Sequence, residues 1–145
     1  MTDATPADRF AELLAEQFEL CAELEALADS LPLRMDTYAA MSLLERLHAT
    51  LHRCQRFEEG EIFPTLATRR PDLSPTLDRL RAEHFEDQDQ ASDLRDAVEG
   101  FLTRREPPKA EEIGYMLRGL FTSLRRHLAF DRDVILPLCR LPAVP

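Results

Sequence analysis

The sequence lacks tryptophan and has only four glycines in 145 residues. Glycine supplies the tight turns and bulges on which sheet proteins depend, so its scarcity argues against a fold built from many short strands. Leucine, alanine, glutamate and arginine, which are good helix formers, are abundant instead. The composition therefore predicts a helical protein.

The chain also lacks a long apolar run. No stretch approaches the ~18 residues that span a bilayer, and residues 1–4 (MTDA) do not resemble the start of a signal peptide. We therefore expect a cytoplasmic protein that does not bind membranes. Its three cysteines, Cys21, Cys54 and Cys139, are odd in number and widely spaced, which favours reduced thiols over a disulfide framework.

Basic residues are in the minority. The 18 lysines and arginines face 27 aspartates and glutamates, and the net charge is −9. Binding to nucleic acid requires a basic surface, so we expect no nucleic-acid partner. The sequence has no glycine-rich phosphate loop and no Ser/His/Asp order, so we assign no catalytic residue and favour a binding protein over an enzyme.

Capping residues and prolines define two helices in the first half. Thr5-Pro6 is an N-cap followed by proline at the first helical position, and this helix should run to about Ser30. Asp36 caps the second helix, which should extend to the region of Pro64. Proline has no N–H and its ring clashes with the preceding turn, so we expect Pro64 to kink the helix or end it within a turn.

Two further helices are predicted in the second half. Ser74-Pro75 repeats the cap-then-proline signal, and Pro107-Pro108 ends the third helix. The fourth helix should run from about Lys109 to Pro137 or slightly beyond. Short connections between long helices favour antiparallel neighbours. We therefore predict that residues 1–145 form a single all-α domain, an antiparallel up-down-up-down four-helix bundle.

An internal repeat relates the two halves. Residues 57–64 (FEEGEIFP) and 130–137 (FDRDVILP) share an aromatic residue, an acid, an acid-rich spacer, isoleucine, a large apolar residue and proline. Residues 15–19 (AEQFE) reappear as 82–86 (AEHFE), in the same order relative to the first motif. The chain thus reads as a duplicated helical hairpin, and the positions where the two copies differ should decide function.

Polar residues interrupt the apolar stripe of each predicted helix. The stripe of the fourth helix, for example, includes Val134 and Leu138. Polar groups inside a core are costly unless they have partners, so their presence on all four inward faces needs a shared explanation. The interrupting residues are Gln17, Cys54, Glu58, His84, Gln88, His127 and Asp131.

These seven residues should lie at one level of the bundle. In an antiparallel bundle with 1.5 Å rise per residue, all of them fall roughly 13–20 Å from the same end. Six of them form three pairs with i,i+4 spacing, which directs both side chains of a pair to one spot. Imidazole and carboxylate groups that converge from facing helices are typical of metal sites in bundle cores. The neighbouring Glu59 and Glu61 should instead form a solvated acidic face.

On these residues the chain resembles the hemerythrin-like domains, also called HHE cation-binding domains. The resemblance rests on Glu-Glu-x-x-Ile-Phe-Pro at 58–64, Glu-His at 83–84, and His-x3-Asp with a downstream Ile-Leu-Pro at 127–137. It implies a four-helix bundle with a non-haem di-iron centre that binds oxygen, senses iron, oxygen or nitric oxide, or handles peroxide.

The family pattern is only partly matched. It has a histidine on the first helix, His-x3-Glu on the second, His followed by His or Glu on the third, and His with an acid on the fourth. Glu58, His84, His127 and Asp131 match it and are our predicted metal ligands. Ligand positions are substituted at three places, which we assign to the surroundings of the cofactor: Gln17, Cys54 and Gln88.

Two hypotheses remain open. In the first, the four matching residues hold at most one ion of iron, zinc or manganese, at reduced occupancy, for binding or sensing O2, NO or peroxide. In the second, no metal is bound, the polar layer is purely structural, and the bundle binds a protein or a small molecule. Tyr115, Phe121 and Leu128 offer either a face for a homodimer or further core packing.

Overall fold

The computed structural model describes residues 3–31, 36–103 and 109–142. Within these ranges the chain is helical and contains no strand, so the predicted all-α class is confirmed. No helix in the described ranges is long and apolar enough to cross a membrane. The helices are α1 (Pro6–Ser30), α2 (Thr37–Phe57), α3 (Phe63–Arg69), α4 (Ser74–Thr103), α5 (Ala110–Phe130) and α6 (Leu136–Arg140).

Local hydrogen bonds fix the helix starts that the sequence predicts. The Thr5 hydroxyl accepts a hydrogen bond from the Asp8 N–H at 3.1 Å, and the Asp8 carboxylate accepts one from the Thr5 N–H at 3.2 Å. The Asp36 side chain accepts a hydrogen bond from the Ala39 N–H. Each satisfies a helix N–H that has no partner within the helix. Pro32, the proline after the predicted end of the first helix, and the predicted stop at Pro107-Pro108 lie outside the described residues.

Two π-helical turns join the shorter helices to the longer ones. Residues Glu58–Ile62 connect α2 to α3, and Asp131–Ile135 connect α5 to α6. In each turn the residue just before the proline, Phe63 or Leu136, donates its N–H to the carbonyl five residues back. The wider turn accommodates a proline, which cannot make the ordinary bond to the residue four back.

The sequence leaves a kink or an end within a turn open at Pro64, and the structure shows a helix that does not end at the proline. The helix passes through its π turn and continues to Arg69. A 3₁₀ turn at Pro71–Leu73 then leads directly into α4. With their π turns, α2–α3 and α5–α6 each act as one long helix. Together with α1 and α4 they form the predicted four-helix bundle.

Ion pairs between helices show that neighbours run antiparallel. Arg46 and Arg53 of α2 pair with Glu23 and Glu16 of α1, so the partner number falls along α1 as the number rises along α2. These pairs are exposed and each contributes about 0–1 kcal/mol, so they report the packing more than they drive it. The long helix α5–α6 also runs antiparallel to α1. The ion pairs that show this are Arg118–Asp29, Arg125–Glu25 and Arg140–Asp8.

The core is apolar along most of the bundle. In the predicted apolar stripe of the fourth helix, one position differs from the structure. Val134 is 39% exposed, whereas Ile135 is fully buried. The π turn inserts one extra residue, which rotates the following positions and turns Ile135 inward in place of Val134. Phe121 and Leu128 are buried in the core, while Tyr115 is exposed.

Candidate metal centre

The polar layer forms where the two π turns meet the middle of α4 and the last turn of α5. Glu58 and Asp131 are the first residues of their π turns, and both are buried. His84 of α4 and His127 of α5 are buried beside them. One ligand atom each from Glu58, His84 and His127 lie within 4.8 Å of one another. Three of the four predicted ligands are thus brought together, and the fourth, Asp131, lies beside His127, with its Oδ2 3.4 Å from His127 Nε2.

His84 lies between two glutamates of the first π turn. Its Nε2 is 2.7 Å from Glu58 Oε1, and its Nδ1 is 3.2 Å from Glu59 Oε2. The ring of Phe63 stacks on the His84 imidazole, and the centroids of the two rings are 5.8 Å apart. The prediction that Glu59 belongs to a solvated acidic face is wrong. Its carboxylate is only half-exposed and supports His84 from the outer side.

His127 lies between two aspartates, and of these Asp87 is hydrogen-bonded to it. Its Nδ1 is 3.1 Å from Asp87 Oδ2, and its Nε2 is 3.4 Å from Asp131 Oδ2. The rings of His84 and His127 stack with centroids 5.1 Å apart. Both imidazoles therefore turn Nε2 toward the centre of the layer and Nδ1 toward an outer carboxylate.

Two buried residues of the layer, Asp87 and Gln55, were not predicted from the sequence. Gln55 Nε2 donates to Asp87 Oδ2 at 3.2 Å, and Gln88 Nε2 donates to Gln55 Oε1 at 2.7 Å. Gln88 is half-buried and reaches the centre only through Gln55. Their spacing in the sequence could have indicated them. Asp87 follows His84 by three residues and Gln55 precedes Glu58 by three, and residues at i,i+3 share a helix face.

Gln17 and Cys54 are buried, but neither donates a side-chain hydrogen bond to the four predicted ligands in the part of the chain described. Gln17 Nε2 donates to the Leu13 carbonyl of its own helix at 3.2 Å. Cys54 lies one turn before Glu58, and burial raises the pKa of its thiol to about 11. Burial thus opposes the thiolate form of Cys54 when no metal is bound.

Burial and close charges shift the pKa values of the centre. Burial raises the pKa of Glu58 to about 7, against the hydrogen bond to His84. Burial alone would lower the pKa of His84, but the hydrogen bond and charge of Glu58 outweigh it and the pKa rises. Burial likewise opposes protonation of His127, yet Asp131 and Asp87 raise its pKa to about 11. Without a metal, protons on the imidazoles balance the carboxylates.

Three buried atoms at the centre have no hydrogen-bond partner among the described residues: Glu58 Oε2, His127 Nε2 and Asp131 Oδ1. A buried polar atom without a partner costs about 1–3 kcal/mol. All three are electron-pair donors when His127 is neutral, and the set of imidazole and carboxylate donors suits a divalent transition metal. The residues present therefore fit a metal ion.

A cleft of about 240 Å³ between α4 and α5 leads from the surface to the layer. Of the buried polar residues, it reaches His127 and Asp87. Glu83 and Glu86 line its mouth together with Arg79 and Arg126. The cleft thus borders the layer on the side of His127 and Asp87.

The model of one protein family matches residues 15–139, and its description is hemerythrin HHE cation binding domain. The match spans most of the chain and includes every residue of the polar layer. No curated protein and no solved structure matches the chain.

Proposed function

Since the chain belongs to the hemerythrin HHE cation-binding domain family, we propose that it binds one divalent metal ion through Glu58, His84, His127 and Asp131. The convergence of two imidazoles and two carboxylates in one buried layer supports this proposal. These donors suit Fe(II), Mn(II) or Zn(II), and we favour iron, with zinc or manganese as alternatives.

One observation carries the proposal. Each imidazole has a carboxylate at Nδ1, Glu59 for His84 and Asp87 for His127, and faces the centre with Nε2. Histidines that bind metals almost always donate their other ring N–H to a carboxylate, a carbonyl or a water, which fixes the tautomer and orients the ring. A purely structural pair of histidines does not need both rings to be arranged in this way.

The substitutions at Gln17, Cys54 and Gln88 support a single ion rather than two. An amide is a weak neutral donor, and the Cys54 thiol is protonated at neutral pH because burial raises its pKa to about 11. We place these three residues around the metal rather than on it. We expect the site to be only partly occupied. An ion held by these four protein ligands keeps a coordination position open.

We further propose that the ion binds a small ligand such as O2, NO or peroxide. A bound iron supplies a Lewis-acidic position and one-electron chemistry for such a ligand. The protein's part is to exclude bulk water and to hold the two imidazoles in place. The cleft beside His127 admits a small molecule. We expect the protein to act in the cytoplasm, without nucleic-acid or membrane partners.

Elemental analysis of protein purified without chelator tests the metal. We expect less than one metal ion per chain as purified and close to one after loading with metal, and a loss of it in the His84→Ala and His127→Ala variants. The matched control is His52→Ala on the exposed face of α2. Sub-stoichiometric metal that is the same in the wild type and in both site variants would reject the proposal.

A second candidate function rests on the closure of the layer without metal. His84 bonds to Glu58 at 2.7 Å and His127 to Asp87 at 3.1 Å, so protonated imidazoles already satisfy most of the carboxylates. In that case the bundle is a metal-free module that binds a small molecule, a protein or a second copy of itself.

Thermal unfolding separates the two candidates. A metal that binds only the native state at 100 times its Kd adds about 2.7 kcal/mol to the free energy of unfolding, which raises the melting temperature. The metal-free module should melt at the same temperature with and without added Fe(II) or Zn(II). The His84→Ala variant controls for metal bound elsewhere on the acidic surface.

A further inference from the structure

We propose that Asp87 is a positioning residue for His127, and that Gln55 and Gln88 hold Asp87 in place. The inference rests on the proposed metal function and deepens it. It assigns a role to three residues that are not themselves expected to touch the metal.

A chain of three hydrogen bonds carries the inference. Gln88 Nε2 donates to Gln55 Oε1 at 2.7 Å, and Gln55 Nε2 donates to Asp87 Oδ2 at 3.2 Å. The same Oδ2 atom lies 3.1 Å from His127 Nδ1. The chain begins on α4, crosses to α2, returns to α4 and ends on α5. It therefore ties His127 to two other helices of the bundle.

The effect on His127 follows from the chemistry of imidazole. A neutral ring carries its proton on either nitrogen, and the nitrogen without the proton is the metal donor. Since Asp87 can only accept a hydrogen bond when ionised, it requires the proton at Nδ1 and leaves the lone pair at Nε2. Nε2 faces Asp131 and the centre, so Asp87 selects the tautomer that can bind a metal.

Asp87 is better placed for this role than the other acid near the ring. Glu83 Oε2 is 4.0 Å from His127 Nδ1, which is too far for a hydrogen bond, and its side chain is 35% exposed. The Asp87 side chain is 4% exposed. A carboxylate at this depth must be hydrogen-bonded, and Gln55 supplies the second donor.

The internal repeat supports the pairing of Asp87 with His127. In the first half, Cys54 occupies the position equivalent to His127, and Leu20 the position equivalent to Asp87. Both are buried. Where the imidazole is missing, the carboxylate is missing as well. A buried acid with a role independent of His127 would have no reason to follow this rule.

Titration with Co²⁺, followed by its visible absorption, tests the inference. Asp87→Asn should weaken Co²⁺ binding by about ten- to hundredfold and change the absorption band, with the stoichiometry at saturation unchanged. Gln55→Leu should cause a smaller loss, and Gln88→Leu the smallest. Asp89→Asn is the matched control, because Asp89 lies on the same helix and is exposed.

Each outcome has a distinct meaning. A Co²⁺ affinity of Asp87→Asn within twofold of the wild type overturns the inference and leaves the proposed metal site intact. An affinity loss in Asp89→Asn equal to that in Asp87→Asn also overturns it, because general charge would then explain the effect. Absence of Co²⁺ binding by the wild type overturns the proposed function, and the inference with it. If Asp87→Asn fails to fold, the loss in Gln55→Leu decides.

Discussion

The two halves of the chain follow the same helical path but contribute differently to the centre. Each half has a π turn that starts with a buried acid, Glu58 or Asp131, and precedes a proline. Both imidazoles come from the second half, and the first half has Gln17 and Cys54 at the equivalent positions. The π turn thus forms in both halves, whether or not that half contributes an imidazole to the layer.

The halves differ again in how they cover an equivalent phenylalanine. Arg132 of the second π turn lies over Phe18, with Cζ 5.2 Å from the ring centroid. The residue equivalent to Arg132 is Glu59, which instead hydrogen-bonds to His84. Phe85, equivalent to Phe18, is 72% exposed. The same position of the repeat therefore supports a histidine in the first half, through Glu59, and covers an aromatic ring in the second half, through Arg132.

The largest effect should come from removing an imidazole of the second half. His127→Leu leaves Asp87 and Asp131 buried without a counter-charge, and we expect a loss of about 3–5 kcal/mol in the free energy of unfolding. Gln17→Leu removes only a bond within α1 and should cost about 0–1.5 kcal/mol. Urea denaturation of both metal-free variants measures the difference. Equal losses would mean that the two halves support the layer equally.

A second test makes the first half resemble the second. The double variant Gln17→His/Cys54→His restores imidazoles at the positions equivalent to His84 and His127, and we expect the metal content to rise from one ion per chain to two. Elemental analysis after loading with Fe(II) measures it. Gln90→His, which adds a histidine on the exposed face of α4, is the control. An unchanged metal content in the double variant would contradict the prediction.

A smaller effect is expected when the first π turn receives the residue of the second. Glu59→Arg should cover Phe85 and remove the acceptor at His84 Nδ1. Compared with Glu59→Met, which also removes the negative charge and the acceptor but offers no cation, it should be about 0.5–1 kcal/mol more stable at alkaline pH, where His84 is neutral. Both variants should bind Co²⁺ more weakly than the wild type. Identical stabilities of the two variants would show that position 59 does not decide the exposure of Phe85.

The smallest effect concerns the middle of the π turns, where Gly60 is equivalent to Asp133. A side chain at Gly60 would meet nothing within 4 Å, and the residue is exposed. Gly60→Ala should therefore raise the free energy of unfolding by about 0.4–1 kcal/mol, because it restricts the unfolded chain. Gly119→Ala, at an equally open position in regular helix, is the comparison. A loss of stability only at Gly60 would mean that the π turn requires glycine.

Features that depend on local chemistry could be predicted from the sequence. The caps at Thr5 and Asp36 act on N–H groups three residues away, so the residue types alone indicate the helix starts. The sequence also indicates that Glu58, His84 and His127 share one level, because the rise per residue is fixed and each lies a similar distance from the same end of the antiparallel bundle.

The remaining features depend on contacts between helices or on the π turns. Glu59 supports His84 only because α4 packs beside it, which no spacing within α2 indicates. Asp87 and Gln55 were not predicted because each lies at i,i+3, not i,i+4, from a predicted ligand. A regular helical period placed Val134 inside, although the repeat aligns Ile135 with the buried Ile62. Comparison of the two copies would have corrected the period at that position.

The matching π turns also indicate the history of the chain. A π turn of this kind adds one residue to a helix, and the same addition stands before Pro64 and Pro137. A single insertion in an ancestral hairpin, followed by duplication, accounts for both copies, whereas later insertion would have to occur twice at the same place. If the two halves arose by duplication, as the repeat predicts, the widened turn belongs to the common ancestor of both, whereas the imidazoles of the layer belong to only one.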